Sequence, residues 1–113
     1  LFVARKICEN IIYNSELSDL VITPKNRRGH VFHQYTIRSA KRDDLREFLL
    51  ERKINTGIYY PSLLYTYPSM KEYQSSCPNA EILVKEVLSL PVHPALSDSD
   101  VFEVISSIKA FFD

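Results

Sequence analysis

Tyr59 and Tyr60 are adjacent tyrosines that stand directly before Pro61. They lie within the stretch Ile54–Tyr65, which begins with the pattern of a β-strand, is stopped by the proline and carries no charged side chain. A tyrosine combines a large apolar ring with a hydrogen-bonding hydroxyl, so tyrosines at the end of a strand usually meet a core, a partner domain or a ligand. The two tyrosines are therefore the first candidates for a binding site.

His33 is the histidine whose position is most suggestive of chemistry. The alternating pattern predicts a strand over His30–Arg38, which places His33 on the same face as Tyr35 and Ile37. That placement favours a core histidine hydrogen-bonded to a neighbour, and a catalytic or ligand-contacting role is the alternative.

Other residue types that support catalysis do not form recognisable catalytic patterns. Asp43 with Asp44 and Asp98 with Asp100 are paired carboxylates, but both pairs begin predicted helices, where capping explains them. The chain has only 2 glycines, so it lacks a glycine-rich phosphate loop, and it contains no His-Glu-x-x-His zinc helix. We therefore predict neither a catalytic residue nor a metal site in this chain.

Composition restricts the classes of partner. The 113 residues suit a single domain, residues 1–113, and the formal net charge of zero gives no overall attraction to nucleic acid or to an anionic membrane. No apolar run is long enough to suggest a membrane span. Cys8 and Cys77 are too few for a disulfide framework, so we expect reduced, packed thiols and a cytoplasmic protein.

The hydrophobic periodicity predicts an α+β, two-layer fold in which helices pack on a short sheet of three to four strands. The first helix should bury a stripe of Leu1, Ala4, Cys8 and Ile11 and expose Glu9. Further helices are expected over Lys41–Arg52, from Cys77 and, with a capping box, from Ser97; strands are expected over Asp19–Thr23, His30–Arg38, Ile54–Tyr60 and, at an edge, Leu88–Leu90. The strand, helix and strand around Lys41–Arg52 form a βαβ or split βαβ unit.

Six motifs, in order and with the expected spacing, resemble the C-terminal small domain of the DegT/DnrJ/StrS family of sugar-nucleotide aminotransferases. Weak singly, they together cover the chain nearly end to end. The matching stretches are Arg5–Tyr13, His30–Arg38, Arg42–Leu45, Ile54–Pro61, Pro78–Glu81 and Val87–Pro94.

The resemblance implies the small domain of the aspartate-aminotransferase (type I pyridoxal-phosphate) fold, with a large cofactor-binding domain upstream of Leu1. It also implies a homodimer that transfers an amino group from glutamate to a nucleotide-linked keto-sugar, using pyridoxal 5′-phosphate on a lysine of that large domain. None of the seven lysines here matches the Schiff-base motif. We therefore expect this chain alone to be inactive.

By the same resemblance, Tyr59 and Tyr60 with Pro61 correspond to the family element that contributes to substrate binding. The alternative is that both tyrosines only line an interface with the large domain. Family members commonly continue as Pro-x-Pro-Leu-His, whereas this chain continues as Pro61-Ser62-Leu63-Leu64-Tyr65 and so lacks both the second proline and the histidine. Two other functions remain open: a non-catalytic binding domain, for example for single-stranded RNA, and a degenerate, inactive member of the family.

Overall fold

The computed structural model describes residues 2–113. The chain forms the helices α1 (Phe2–Leu17), α2 (Arg42–Glu51), α3 (Pro78–Glu86) and α4 (Asp98–Phe112), the strands β1 (Tyr35–Arg38) and β2 (Val87–Leu90), and two 3₁₀ segments, Leu64–Thr66 and Pro68–Tyr73. The predicted α+β class is confirmed. None of the helices in this described part is long and apolar enough to cross a membrane.

The prediction of three to four strands is wrong, because the sheet described within residues 2–113 has two. β1 and β2 pair antiparallel, with Tyr35 opposite Leu90. Each of the two outer predicted strands, Asp19–Thr23 and Ile54–Tyr60, forms a single isolated β-bridge. Ile22 pairs with Arg38 of β1, and Gly57 pairs with Ser89 of β2. We call Ile54–Tyr60 the Gly57 segment. β2 therefore lies between β1 and the Gly57 segment instead of at an edge. Because both neighbours run antiparallel to β2, they are parallel to each other, which confirms the split βαβ arrangement around α2.

The core lies where α1, α2 and α4 pack near the sheet. Its fully buried side chains are Tyr13, Leu17, Tyr35, Ile37, Leu45, Leu49, Leu88, Val101 and Ile108. At its centre the rings of Tyr13 and Tyr35 lie 4.9 Å apart. Their hydroxyls are satisfied, since Tyr13 donates to the Pro91 carbonyl at 3.0 Å and Tyr35 to Asn14 Oδ1 at 2.6 Å. Burial raises the pKa of both phenols, so they stay neutral hydrogen-bond donors.

The buried face of α1 differs from the predicted one. Ala4, Cys8 and Ile11 are exposed, and Leu1 lies outside the described residues. The helix instead turns Glu9 inward, in line with the buried Tyr13 and Leu17 at intervals of four residues. The larger apolar side chains thus determine which face packs, and Glu9 is carried inward with them.

Arg5 accompanies the buried Glu9. Its Nε donates to Glu9 Oε1 at 3.1 Å, while its other nitrogens reach the Leu96 carbonyl at 2.9 Å and Asp98 at 2.7 Å. Burial raises the pKa of the Glu9 carboxyl, and the Arg5 charge opposes that rise. This cluster joins α1 to the start of α4.

The other helices begin and end close to the predicted residues. α4 starts with the predicted capping box: the Ser97 hydroxyl accepts from the Asp100 N–H at 3.1 Å, and the Asp100 carboxylate accepts from the Ser97 N–H at 2.8 Å. The Ser97 hydroxyl, at 2.6 Å, and the Ser97 N–H both donate to the Asp100 carboxylate and lower its pKa. α3 is less buried than expected, because its predicted inner residue Leu83 is exposed and Val84 is only half-buried.

Arg42 is a buried charge that links three elements. Its Nη1 donates to the carbonyls of Val84 at 3.2 Å, in the last turn of α3, and Val87 at 3.0 Å, at the start of β2. Its Nε donates to Asp43 at 2.6 Å. The last carbonyls of a helix have no partner within the helix, so this guanidinium fixes the α3–β2 junction against the start of α2.

Replacing Arg42 with methionine should lower the free energy of unfolding by about 2 kcal/mol, because buried carbonyls lose their donors. Urea unfolding followed by circular dichroism measures the change. Arg46→Met is the matched control, since Arg46 lies one turn later on the same helix and is exposed. Equal stability of the two variants would show that the Arg42 contacts contribute nothing.

Candidate functional site

The Gly57 segment is fixed to the sheet by a reciprocal pair of backbone hydrogen bonds. The Gly57 N–H donates to the Ser89 carbonyl at 2.9 Å, and the Ser89 N–H donates to the Gly57 carbonyl at 2.7 Å. Since β2 is itself paired with β1 on its other side, the segment shares the rigidity of the sheet. This bridge sets the position of the two tyrosines that follow.

The absence of a side chain at residue 57 lets the Tyr59 ring fold back onto the backbone. A Cβ at this position would lie 2.7 Å from Tyr59 Cζ and 2.8 Å from Tyr59 Oη, closer than real Cβ contacts. The Tyr59–Tyr60 peptide bond is cis, and the two rings meet edge to face with centroids 6.1 Å apart. Tyr59 is 52% exposed and Tyr60 76% exposed, so both rings are open to a ligand.

Tyr59 lies at the junction of two clefts of different character. We call the first, of about 450 Å³, the polar cleft; it is lined by His33, Gln34, Asn55, Thr56, Gly57, Tyr59, Ser89, Leu90, Pro91 and Val92. The predicted site residue Tyr59 and His33, the other candidate from the sequence, therefore line the same cleft. Tyr60 does not line this cleft.

The second cleft, which we call the apolar cleft, also has a volume of about 450 Å³. Its lining is Tyr59, Tyr60, Ser62, Leu63, Leu64, Tyr65, Cys77, Ala80, Leu83, Val84 and Val87. Tyr65 is held against α3 there, because its hydroxyl donates to Glu81 Oε1 at 2.8 Å, and this bond raises the pKa of the phenol. The apolar cleft thus offers mainly ring and aliphatic surface.

His33 reaches the polar cleft because the predicted strand is broken at Phe32. Phe32 has a left-handed backbone, with φ of 47°, and its side chain is buried. Its N–H donates to His30 Nδ1 at 2.9 Å, and the two rings lie 4.1 Å apart. The strand starts only at Tyr35. The expectation that His33 is a core residue is wrong, since His33 is exposed.

Sequence reasoning missed the other polar residues of this cleft. Alternation along the predicted strand His30–Arg38 places Gln34 on the face opposite His33, while Asn55 and Thr56 fall inside the predicted strand Ile54–Tyr60. No hydrogen bond within residues 2–113 uses the side chains of these three residues or of His33. The available signal was Asn55 close before Gly57, since asparagine and glycine are depleted in strands and favour turns.

Several other site types find no support in residues 2–113. No group of three or more His, Cys, Asp or Glu side chains in this part of the chain could hold a metal ion. Cys8 and Cys77 are exposed free thiols, so the expectation that they are packed is wrong. Within the described chain no lysine lines either cleft. Its residues therefore do not fit the covalent attachment of pyridoxal phosphate at the tyrosines.

The chain is thus a small α+β domain with a split βαβ unit and an exposed pair of tyrosines. The backbone superimposes with a TM-score of 0.91 on an aminotransferase from Brucella abortus described as DegT DnrJ EryC1 StrS, at 32% identity, covering 97% of this chain and 31% of that one. The sequence model of the DegT/DnrJ/EryC1/StrS aminotransferase family matches residues 1–109. The chain belongs to this family.

Two curated relatives illustrate the range of names in the family. A pleiotropic regulatory protein from Geobacillus stearothermophilus is 45% identical over 101 residues, which is 85% of this chain and 27% of the relative. A dTDP-3-amino-3,6-dideoxy-alpha-D-galactopyranose transaminase from Aneurinibacillus thermoaerophilus is 30% identical over 90 residues, 79% of this chain and 25% of the relative. The chain therefore spans about a quarter of the length of either protein.

Gly57→Ala should move the Tyr59 ring out of the polar cleft, because the added methyl occupies the space of the ring tip. The backbone at residue 57 accepts alanine, since no left-handed angle is found there. The fold should survive, with a loss of less than about 1 kcal/mol, because the tip of an exposed side chain can rotate away. NMR measures this as loss of the nuclear Overhauser contacts between the Tyr59 ring and residue 57.

Thr56→Ala is the control, since it shortens a neighbouring side chain without adding atoms at residue 57. It should leave the Tyr59 contacts intact. Unchanged contacts in Gly57→Ala would show that the added methyl does not displace the ring, and therefore that the ring does not occupy the position of that Cβ.

Proposed function

We propose that this chain is the C-terminal small domain of a pyridoxal-phosphate-dependent aminotransferase that transfers an amino group from glutamate to a nucleotide-linked keto-sugar. Membership of an aminotransferase family supports the reaction class, and the name of the Aneurinibacillus relative supports a sugar nucleotide as substrate. The single structural observation that carries the proposal is the exposed tyrosine pair held by the Gly57 bridge between two clefts.

Tyr59 and Tyr60 are proposed to contact the substrate and not the reacting bond. Each phenol offers a hydroxyl for a sugar or phosphate oxygen, and each ring offers an apolar face. No catalytic residue is assigned to this chain. Pyridoxal phosphate and its lysine would belong to a large domain upstream of Leu1, so the chain alone would not transaminate.

The proposed whole protein acts in the cytoplasm as a homodimer, with nucleotide sugar and glutamate as its substrates. Its products would supply polysaccharide or deoxyamino-sugar synthesis. We propose neither nucleic acid nor a membrane as a partner of this chain, because its formal net charge of zero provides no general attraction to either.

A chimera tests this proposal directly. The matching segment of the Aneurinibacillus transaminase is replaced by this chain, and amino transfer from glutamate to its dTDP-linked keto-sugar is measured. We expect transamination, with kcat/KM reduced about tenfold by Tyr59→Phe or Tyr60→Phe if each hydroxyl makes one hydrogen bond to the substrate. Tyr73→Phe is the matched control, because Tyr73 is exposed and lines neither cleft.

The absorption spectrum of the bound cofactor shows whether the chimera has assembled. A chimera that binds pyridoxal phosphate but transfers no amino group would contradict the proposal and favour a degenerate family member. An active chimera in which all three phenylalanine variants behave alike would show that Tyr59 and Tyr60 serve only as interface residues.

A further inference from the structure

We propose that the polar cleft binds the sugar ring of the nucleotide sugar, and that His33 is a specificity-determining residue there. This inference rests on the proposed function and deepens it. It goes beyond the tyrosine pair, because it assigns the polar cleft to one part of the ligand and names a further residue, His33, that contacts it.

The chemistry of the lining identifies the part of the ligand. Around the polar cleft stand an imidazole, two amides and a hydroxyl, from His33, Gln34, Asn55 and Thr56, and the lining contains no lysine, arginine or carboxylate. A diphosphate is recognised chiefly by cations and clustered backbone N–H groups. Amide and hydroxyl side chains both donate and accept hydrogen bonds, so they suit sugar hydroxyls, which also do both. The cleft therefore matches a sugar better than a phosphate.

The four polar side chains are available for a ligand. None of them makes a hydrogen bond within residues 2–113, in contrast to the neighbouring Ser89, whose hydroxyl is paired with Thr36 at 2.8 Å. The Tyr59 ring stands beside them, held over Gly57. Polar groups converging next to an aromatic ring are the usual construction of a small-molecule site.

The backbone is strained at the point that brings His33 into the cleft. A left-handed conformation is unfavourable for a bulky residue such as Phe32, and such outliers persist only where surrounding contacts impose them. Here the contacts are the burial of the Phe32 ring and the hydrogen bond from its N–H to His30. A regular strand would place His33 with Tyr35 towards the core. Because the backbone turns at Phe32, His33 and Gln34 line the polar cleft instead.

The experiment uses the 113-residue chain with dTDP-glucose and dTDP as probes, followed by NMR of the side-chain amides. We expect dTDP-glucose, and not dTDP, to shift the amide resonances of Gln34 and Asn55. His33→Ala should weaken dTDP-glucose binding about tenfold, the effect of one lost hydrogen bond, and should leave any dTDP binding unchanged. His33→Gln, which keeps a donor and an acceptor, should restore part of the affinity.

His93→Ala is the matched control, because His93 is also exposed but lies outside the polar cleft, and it should bind both probes as the unchanged chain does. Equal shifts from the two probes would place the nucleotide in the cleft and overturn the inference. So would the absence of any shift at Gln34 and Asn55, or an equal loss of affinity in His33→Ala and His93→Ala. The chimera decides the proposed function separately, since it can be active while the chain fails this binding test.

Discussion

The pair of hydrogen bonds between Gly57 and Ser89 is the constraint on which the candidate site depends. Through it the loop after α2 becomes a third extended segment beside β2, at N–O distances of 2.9 and 2.7 Å. The same glycine leaves room for the Tyr59 ring. One residue therefore fixes the loop to the sheet and sets the direction of the aromatic side chain, so the polar cleft has a rigid wall and not a mobile one.

The rest of the fold supports β2 from the other side. Arg42 binds the carbonyls at the α3–β2 junction, and Tyr13 reaches the carbonyl of Pro91 just after the strand. Leu88 and Leu90 are buried in the core. Because β2 is fixed at both ends and by its side chains, ligand contacts in the polar cleft beside it need not reorder the backbone, which limits the entropic cost of binding.

Local sequence patterns correctly predicted the features of the fold that depend on neighbouring residues. The strong apolar periodicity of α4 and its capping box were correct, as were the limits of α2 to within a residue, because intrahelical bonds and one packed stripe determine both. The buried face of α1 was predicted wrongly, because Tyr13 and Leu17 pack inward and carry Glu9 with them. Arg5, which pairs with the buried Glu9, is held by Asp98, 93 residues away in the sequence. The edge position predicted for Leu88–Leu90 is wrong, because a sequence does not show which segments pair with a strand.

Only part of the candidate site could be predicted, because some of its residues are brought together by strand pairing that the sequence does not show. Tyr59 and Tyr60 stand out by composition alone, whereas Gln34 and Asn55 become neighbours of Tyr59 only through the sheet. The kink at Phe32 depends on its burial and on a bond to His30, and alternation along a strand gives no sign of either. The substrate role of the tyrosines remains a proposal.

Amide hydrogen exchange of the chain tests the central claim, that the Gly57 segment is part of the sheet. The Gly57 and Ser89 amides should exchange as slowly as those of β1, because each donates within the bridge, while the amides of Tyr59 and Tyr60 should exchange quickly. Exchange of the Gly57 amide as fast as that of Tyr60 would show that the bridge does not hold the loop. The rigid wall of the polar cleft would then be contradicted.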